Sequence, residues 1–312
     1  MFFTEYYSKA ELILPDDMEL REFAVQPFGG GPYIRHLSFT NPQELKAFVL
    51  KTVPLHLYYS VARYQLPAEK DLEAKGWLGS DLLFDLDADE VCGGSKKIYL
   101  CQDTGTAVED PSTCSNVEEY FEIDKDCVEK LKESAKAVVD ILKQDFGLSP
   151  IVSFSGNRGF HIRVPCFGDC ALLPPEARQE IAMYVSGEKV PEYVGSFKED
   201  PGWPGRQARG ISHINIDKQV TIDIRRLERI ENSINGKSGL IVKKVDDIDS
   251  FEFGDHLSPF RGVVAFLPSY TVELTAFSQK VKLEKDVPIK LDASVGVYLA
   301  LKGLGVVKAF VR

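Results

Sequence analysis

The sequence has no apolar run approaching the roughly 20 residues of a membrane-spanning helix, so nothing in it is expected to cross a bilayer. Its start, MFFTEYYSKAEL, has neither a basic leader nor an apolar stretch of about 7–15 residues, which removes a secretory signal and predicts a cytoplasmic protein. Internal repeats and low-complexity linkers are also missing, so no solenoid is expected and no sharp domain boundary is visible. An excess of positive charge is missing too. The net charge is −10, which taken as an average argues against nucleic acid, because phosphate binding draws on clustered Lys and Arg.

The average hides a segregation. Between Asp81 and Glu129 there are 14 acidic residues against Lys96, Lys97 and Lys125, which leaves the rest of the chain close to neutral. From 225 to 244 the balance reverses, with Arg225, Arg226, Arg229, Lys237, Lys243 and Lys244 against Glu228 and Glu231. That strip reads either as a solvated face or as a phosphate-binding surface. Six cysteines, Cys92, Cys101, Cys114, Cys127, Cys166 and Cys170, in a cytosolic chain of this size read as thiols or metal ligands rather than a disulfide framework, intracellular proteins of hyperthermophiles being the exception.

At 312 residues, 44% of them hydrophobic and 27% charged, the chain can bury a sizeable core carrying one or two insertions. Apolar alternation predicts strands at Asp81–Asp87, Ile151–Ser155, Phe160–Val164 and Val220–Ile224. Spacings of three and four predict a helix from Cys127 to Phe146, stopped by Gly147, and a second from Pro175 to Tyr184. Interleaved strands and helices indicate an α/β or α+β fold, a mixed β-sheet core flanked by helices. Residues 91–126, polar and cysteine-bearing, and 170–212, helical and then rich in Pro and Gly, read as insertions. The tail from Ser258 onward reads as further strands closing the domain.

Three segments carry chemistry. In Asp81–Asp87 the period of two puts Leu82, Phe84 and Leu86 on one face and Asp85 and Asp87 on the other. Neighbouring carboxylates on an apolar strand repel and lose hydration, which a divalent cation offsets; the bland alternative is a strand end dipping into water. Ser155-Gly156-Asn157-Arg158-Gly159 is a polar turn leading into a strand whose polar face carries His161 and Arg163. Its Ser155, Arg158 and His161 suit phosphate oxygens, or else form a glycine turn with a surface Arg. Val220–Ile224 places Asp223 on a polar face ahead of Arg225, Arg226 and Arg229. Three carboxylates holding two metal ions could activate a 3′ hydroxyl and stabilise departing pyrophosphate.

Phe84-Asp85-Leu86-Asp87, Ser155-Gly156-Asn157-Arg158-Gly159-Phe160-His161, and Asp223 followed by Ser233-Ile234-Asn235-Gly236-Lys237-Ser238-Gly239 together resemble the small catalytic subunit of archaeal and eukaryotic DNA primases, especially crenarchaeal members. The resemblance extends upstream to Arg21-Glu22-Phe23 and Tyr58-Tyr59-Ser60 and covers nearly the whole chain, so residues 1–312 are expected to form one catalytic domain. It implies that Asp85, Asp87 and Asp223 ligate catalytic Mg²⁺ or Mn²⁺. It implies further that Ser155, Arg158, His161, Arg229 and Lys237 bind a ribo- or deoxynucleoside triphosphate. The implied product is a short primer on a single-stranded DNA template, and the implied partner a large regulatory subunit bearing an iron-sulfur cluster. Two departures stand out. Asn235 occupies the place of the family's usual His, so Asn235→His is expected to tighten nucleotide binding. The zinc knuckle is degenerate: Cys92, Cys101, Cys114 and Cys127 remain candidate Zn²⁺ ligands, but C-x8-C, C-x12-C and C-x12-C match no compact zinc pattern. Competing readings are a primase-polymerase relative acting in repair or elongation, a two-metal nuclease, and a silent structural subunit.

Overall fold

In a computed structural model, the described residues are 2–29, 31–93, 97–188, 197–211 and 213–311; residues 189–196 and 212 of the second expected insertion lie outside them. The central sheet runs in the order Lys243–Lys244, Ile151–Phe154, Gly159–Val164, Leu82–Asp87, every pairing antiparallel. Leu82, Phe84 and Leu86 are fully buried, and beneath them packs the helix Lys125–Gln144 through Leu131, Ala135, Val138 and Leu142. That helix starts where the Asp124 side chain accepts from the Cys127 amide at 2.9 Å. Just past its end Gly147 takes φ +64°, the left-handed conformation that costs glycine little.

A second antiparallel sheet orders Leu227–Arg229, His56–Tyr64, Arg21–Gln26 and Ile34–Leu37, with Trp77–Ser80 also paired to His56–Tyr64. The C-terminal tail forms strands as expected, Ile289–Asp292, Val263–Pro268 and Gly305–Val311 in one sheet with Val272–Ala276 and Gln279–Leu283 as a hairpin, together with the helix Ala293–Leu301. Helices and antiparallel ladders thus make an α+β fold. Within the first insertion, Lys97–Cys101, Thr106–Val108 and Val117–Phe121 form their own small sheet, while its residues 94–96 lie outside the described ones. The expected helix near Pro175 runs from Pro175 to Ser186 and closes on Gly187.

Two sequence expectations fail. Val220–Ile224 is not a strand. Lys218–Ile222 is a short helix whose first amides are met by Asp217, with its Oδ1 accepting from Gln219 N at 3.0 Å. Val220 and Thr221 are drawn inward against Val61 and Leu83, and Thr221 Oγ1 donates to Leu83 O, so a run of β-branched residues that suits a strand is recruited as a docked helical turn. The cysteines are not thiols. Cys92 pairs with Cys127, Cys101 with Cys114, and Cys166 with Cys170, so the four candidate zinc ligands are taken pairwise and do not converge.

The sheets meet at one buried carboxylate. Asp81, fully buried, receives Arg63 at 2.8 Å and Arg21 at 3.1 Å from the second sheet, and Arg163 at 3.4 Å and the Cys166 amide at 3.1 Å from the first. Arg178 reaches from its helix to the carbonyls of Ser80 and Asp81, each at 2.9 Å. Removing one partner of such a set strands the others without water. Asp81→Ala is therefore expected to lower unfolding free energy by about 3–5 kcal/mol in equilibrium urea titration, and a loss below about 1 kcal/mol would contradict this role. Thiol alkylation offers a second check: no cysteine should be modified until a reductant is added, after which the 35-residue span between Cys92 and Cys127 is released and the urea midpoint falls.

Candidate metal and triphosphate site

Antiparallel register sets the site. His161 lies opposite Asp85 and Gly159 opposite Asp87, so the polar faces of two strands merge. Gly159 is required there, because a Cβ would sit 2.0 Å from Leu86 O. His161 Nε2 stands 3.7 Å from Asp85 Oδ1. Arg158 leans back from the turn, its Nε 2.9 Å from Asp87 and its Nη2 2.6 Å from Asp89, with the guanidinium over the Phe121 ring.

The third carboxylate beside Asp85 is Asp217, not Asp223. The Asp217 amide donates to Asp85 O at 3.1 Å, and the Asp217 charge is, after burial, the strongest influence lifting Asp85 to about 6 against the pull of Arg226 and Arg229. Asp87 is also raised to about 6, by burial and by Asp89, with Arg158 opposing. Glu90 is raised by burial and then by Asp217, Asp85, Asp87 and Asp89. Five acids therefore share one field. Asp223 lies past the far end of the short helix, where its Oδ1 accepts from the Arg225 amide at 2.9 Å and its carboxylate pairs with the Arg225 side chain. It lines a separate cavity of about 630 Å³ with Tyr64, Trp77 and Arg226. The misread strand explains the error: winding 218–222 into a helix puts Asp217 at one end and Asp223 at the other.

Sequence reading missed Asp217, although a signal was present. Ile214 and Ile216 alternate with Asn215 and Asp217, the isoleucines are buried, and Asn215 Nδ2 donates to Glu90 O at 3.0 Å, which draws this segment to the acidic strand end.

Opposite the acids is the Ser155–Gly159 turn. Gly156 has φ +74°, and a Cβ there would stand 2.9 Å from Asn235 Cβ. Asn235 is buried with both ends of its amide engaged: its Nδ2 donates to Ser155 O at 2.9 Å while its Oδ1 accepts from Lys237 N at 3.0 Å. Ser238 Oγ donates to Gly156 O. Asn235 thus sets the turn and the Lys237 backbone rather than facing phosphate, and the expected gain from Asn235→His loses its basis. Arg229 stacks 4.8 Å above the Tyr58 ring and donates to His56 Nδ1 at 2.7 Å. Burial, then Arg229 and Lys237, hold His56 down near 3; burial, then Arg229 and Arg226, do the same to His161. Both imidazoles are neutral at physiological pH, so His161 offers a hydrogen bond and no positive charge.

The donor set suits a hard divalent cation: carboxylates that raise one another's pKa values, with Arg158 paired to Asp87. Zinc is poorly served. Cys101, Asp103 and Cys114 do bring ligand atoms within 4.8 Å of one another, but both sulfurs are in a disulfide and three ligands are one short of a structural site.

Comparison with known proteins bears on this geometry. Residues 110–247 match the family model for the DNA primase small subunit, and residues 262–311 match the model for a primase C-terminal domain. A DNA primase small subunit PriS of Saccharolobus islandicus (strain M.14.25 / Kamchatka #1) is 54% identical, the match covering 100% of this chain and 95% of the relative. One from Sulfurisphaera tokodaii is 55% identical over 100% of this chain and 97% of its own length. The PriS of Aeropyrum pernix is 35% identical over 98% of this chain and 92% of its own. On the strength of full-length identity above half, the chain belongs to the family of DNA primase small subunits, the catalytic subunits of DNA primase.

Proposed function

We propose that Asp85, Asp87 and Asp217 hold two divalent cations, Mg²⁺ or Mn²⁺, and that the Ser155–Gly159 turn with Arg229 and Lys237 holds the nucleoside triphosphate. The observation that supports this reading is three carboxylates from two elements, Asp85 and Asp87 on one face of a strand and Asp217 at a helix cap bonded to that strand, sharing one electrostatic field across the sheet from a glycine turn. When bound, such cations activate the attacking hydroxyl and stabilise the leaving pyrophosphate. The protein's own residues do the rest. Arg158 is tied to Asp87 and Asp89 and is freed for phosphate as those carboxylates turn to other partners. Neutral His161, half-buried next to Asp85, donates a hydrogen bond without repelling the cations beside it. Arg226 and Arg229 spread positive potential over Asp85. The whole chain acts as one catalytic unit, with a single-stranded DNA template running along the basic 225–244 strip and a large regulatory subunit as partner.

Asp85→Asn and Asp217→Asn should each lower nucleotide incorporation on a primed template by roughly 100-fold or more, since loss of a ligand should exceed the 10–100-fold typical of residues behind ligands. Asp223→Asn should stay within a few-fold of the parent. An inactive Asp223→Asn beside an active Asp217→Asn would reverse the assignment. Acid should act on the same residues. Because the folded-state values of Asp85 and Asp87 are raised from 3.8 to about 6, their ionised forms, which bind metal, are lost as pH falls through about 6. Mn²⁺ affinity, read by titration, should weaken by about tenfold per pH unit below that point for each proton taken up. In the metal-free protein the sign is opposite: ionisation costs stability above pH 6, and the cost is relieved as pH falls toward 3.8. Added Mn²⁺ should therefore raise the melting temperature more at pH 7 than at pH 5.

A further inference from the structure

Lys302 lies outside every motif read from the sequence, yet it reaches the same turn. It caps the end of the Ala293–Leu301 helix, and its ammonium donates to Asn157 Oδ1 at 2.6 Å, inside the Ser155–Gly159 turn, while lying 5.3 Å from the Tyr298 ring. The same helix end packs on the segment that carries Lys237: a Cβ on Gly239 would stand 3.1 Å from Leu301 and from Val297. Three cations from three elements therefore crowd one place, Arg158 on the turn, Lys237 beyond Asn235, and Lys302 from the C-terminal region. Arg158 has Asp87 and Asp89; among the described residues Lys302 has the neutral amide of Asn157 and the Tyr298 ring and forms no ion pair. Burial, then the charge of Arg158, and more weakly Lys237, drive it down to about 7, which Asp87 and Asp89 only partly oppose. Holding an ammonium half-buried among like charges is unfavourable unless a polyanion arrives.

Resting on the reading of this turn as the triphosphate site, we propose that Lys302 is a direct ligand of the outer phosphates of the incoming nucleotide, supplied by the C-terminal region and held ready by Asn157. Its ammonium, a point donor on a flexible stem, can leave the Asn157 amide and reach a non-bridging oxygen without a change of backbone. The consequence is that the C-terminal strands and helix belong to nucleotide binding as well as to the core.

The test is binding of inorganic tripolyphosphate to the full chain in EDTA, by isothermal titration calorimetry, so that no metal enters. K302Q keeps a donor for Asn157 but loses the charge; its dissociation constant should rise about tenfold. K302R should restore affinity to within about threefold of the parent, and N157A, which removes the tether and leaves the cation, should lose less than K302Q. Asp85→Asn should bind tripolyphosphate as well as the parent while failing to incorporate nucleotide, so a fault in the metal reading shows in a different assay. Unchanged affinity in K302Q, or an N157A loss equal to that of K302Q, would overturn the role of Lys302. Absence of tripolyphosphate binding in the parent would overturn the turn reading and this assignment with it.

Discussion

The buried carboxylate of Asp81 is the point on which the strand carrying Asp85 and Asp87 is hung. It stands one residue before Leu82–Asp87, and it is held by Arg21 and Arg63 from one sheet and by Arg163 from the other. Arg21 and Arg63 also share Asp17, and Arg163 continues to Glu228, at 3.2 Å, which accepts from Tyr59 at 2.8 Å. A charge so deep is tolerated only because every partner is present. Geometry follows from it. With one end of the strand fixed between two sheets, a period of two fixes where Asp85 and Asp87 emerge, and the antiparallel ladder fixes what faces them. A slip of one residue would turn both carboxylates into the core.

Charge within the site is divided by what each side chain can give up. Arginines keep their protons, and burial together with their field keeps His56 and His161 neutral. Carboxylates cannot shed their repulsion except by rising, and Asp85, Asp87 and Glu90 all rise. The cluster thus gathers acids on one side and cations on the other, joined by Arg158. A divalent cation alone would relieve the acids and leave the turn's cations unmatched; a triphosphate alone would do the reverse. A metal-triphosphate complex would answer both at once, which is the electrostatic argument for the proposed site.

How much of this can be read from the chain depends on which physics sets each residue. Asp85 and Asp87 are legible because alternation is local: Leu82, Phe84 and Leu86 declare the buried face, and the carboxylates are what is left. The Ser155–Gly159 turn is legible from its glycines, one demanding positive φ and the other a close approach to Leu86 O. Asp217 is not legible by the same rule, since Val220-Thr221-Ile222 reads as a strand until tertiary contact with Val61 and Leu83 makes it a helix, and that choice decides which Asp meets Asp85. Asn235 misleads for a related reason. Its sequence neighbours suggest a phosphate contact, but burial against Gly156 commits both ends of its amide to backbone. Cysteine pairing is set by distances across the fold, 5.4 Å between the Cα atoms of Cys92 and Cys127, and no spacing along the chain encodes it.

The C-terminal region is packed into the same core as the acidic strand. Val272, Leu274, Leu283, Val295, Tyr298 and Leu299 share one core with Leu82, Phe84, Leu86 and Phe160, so the strands after Ser258 pack under the catalytic sheet and do not form a separable appendage. Tyr120, from the first insertion, donates to Thr275 O at 2.8 Å, and the Glu122 side chain accepts from the Thr275 amide. The insertion, the tail and the catalytic strand are therefore one packed body around a single sheet. Because the same core carries the carboxylates at one edge and the helix bearing Lys302 at another, the distance between cations and acids is fixed by packing and not by loops. Close-packed interiors deform little, and a site that must hold a highly charged substrate in line for transfer depends on that stiffness more than on any one of the residues that touch it.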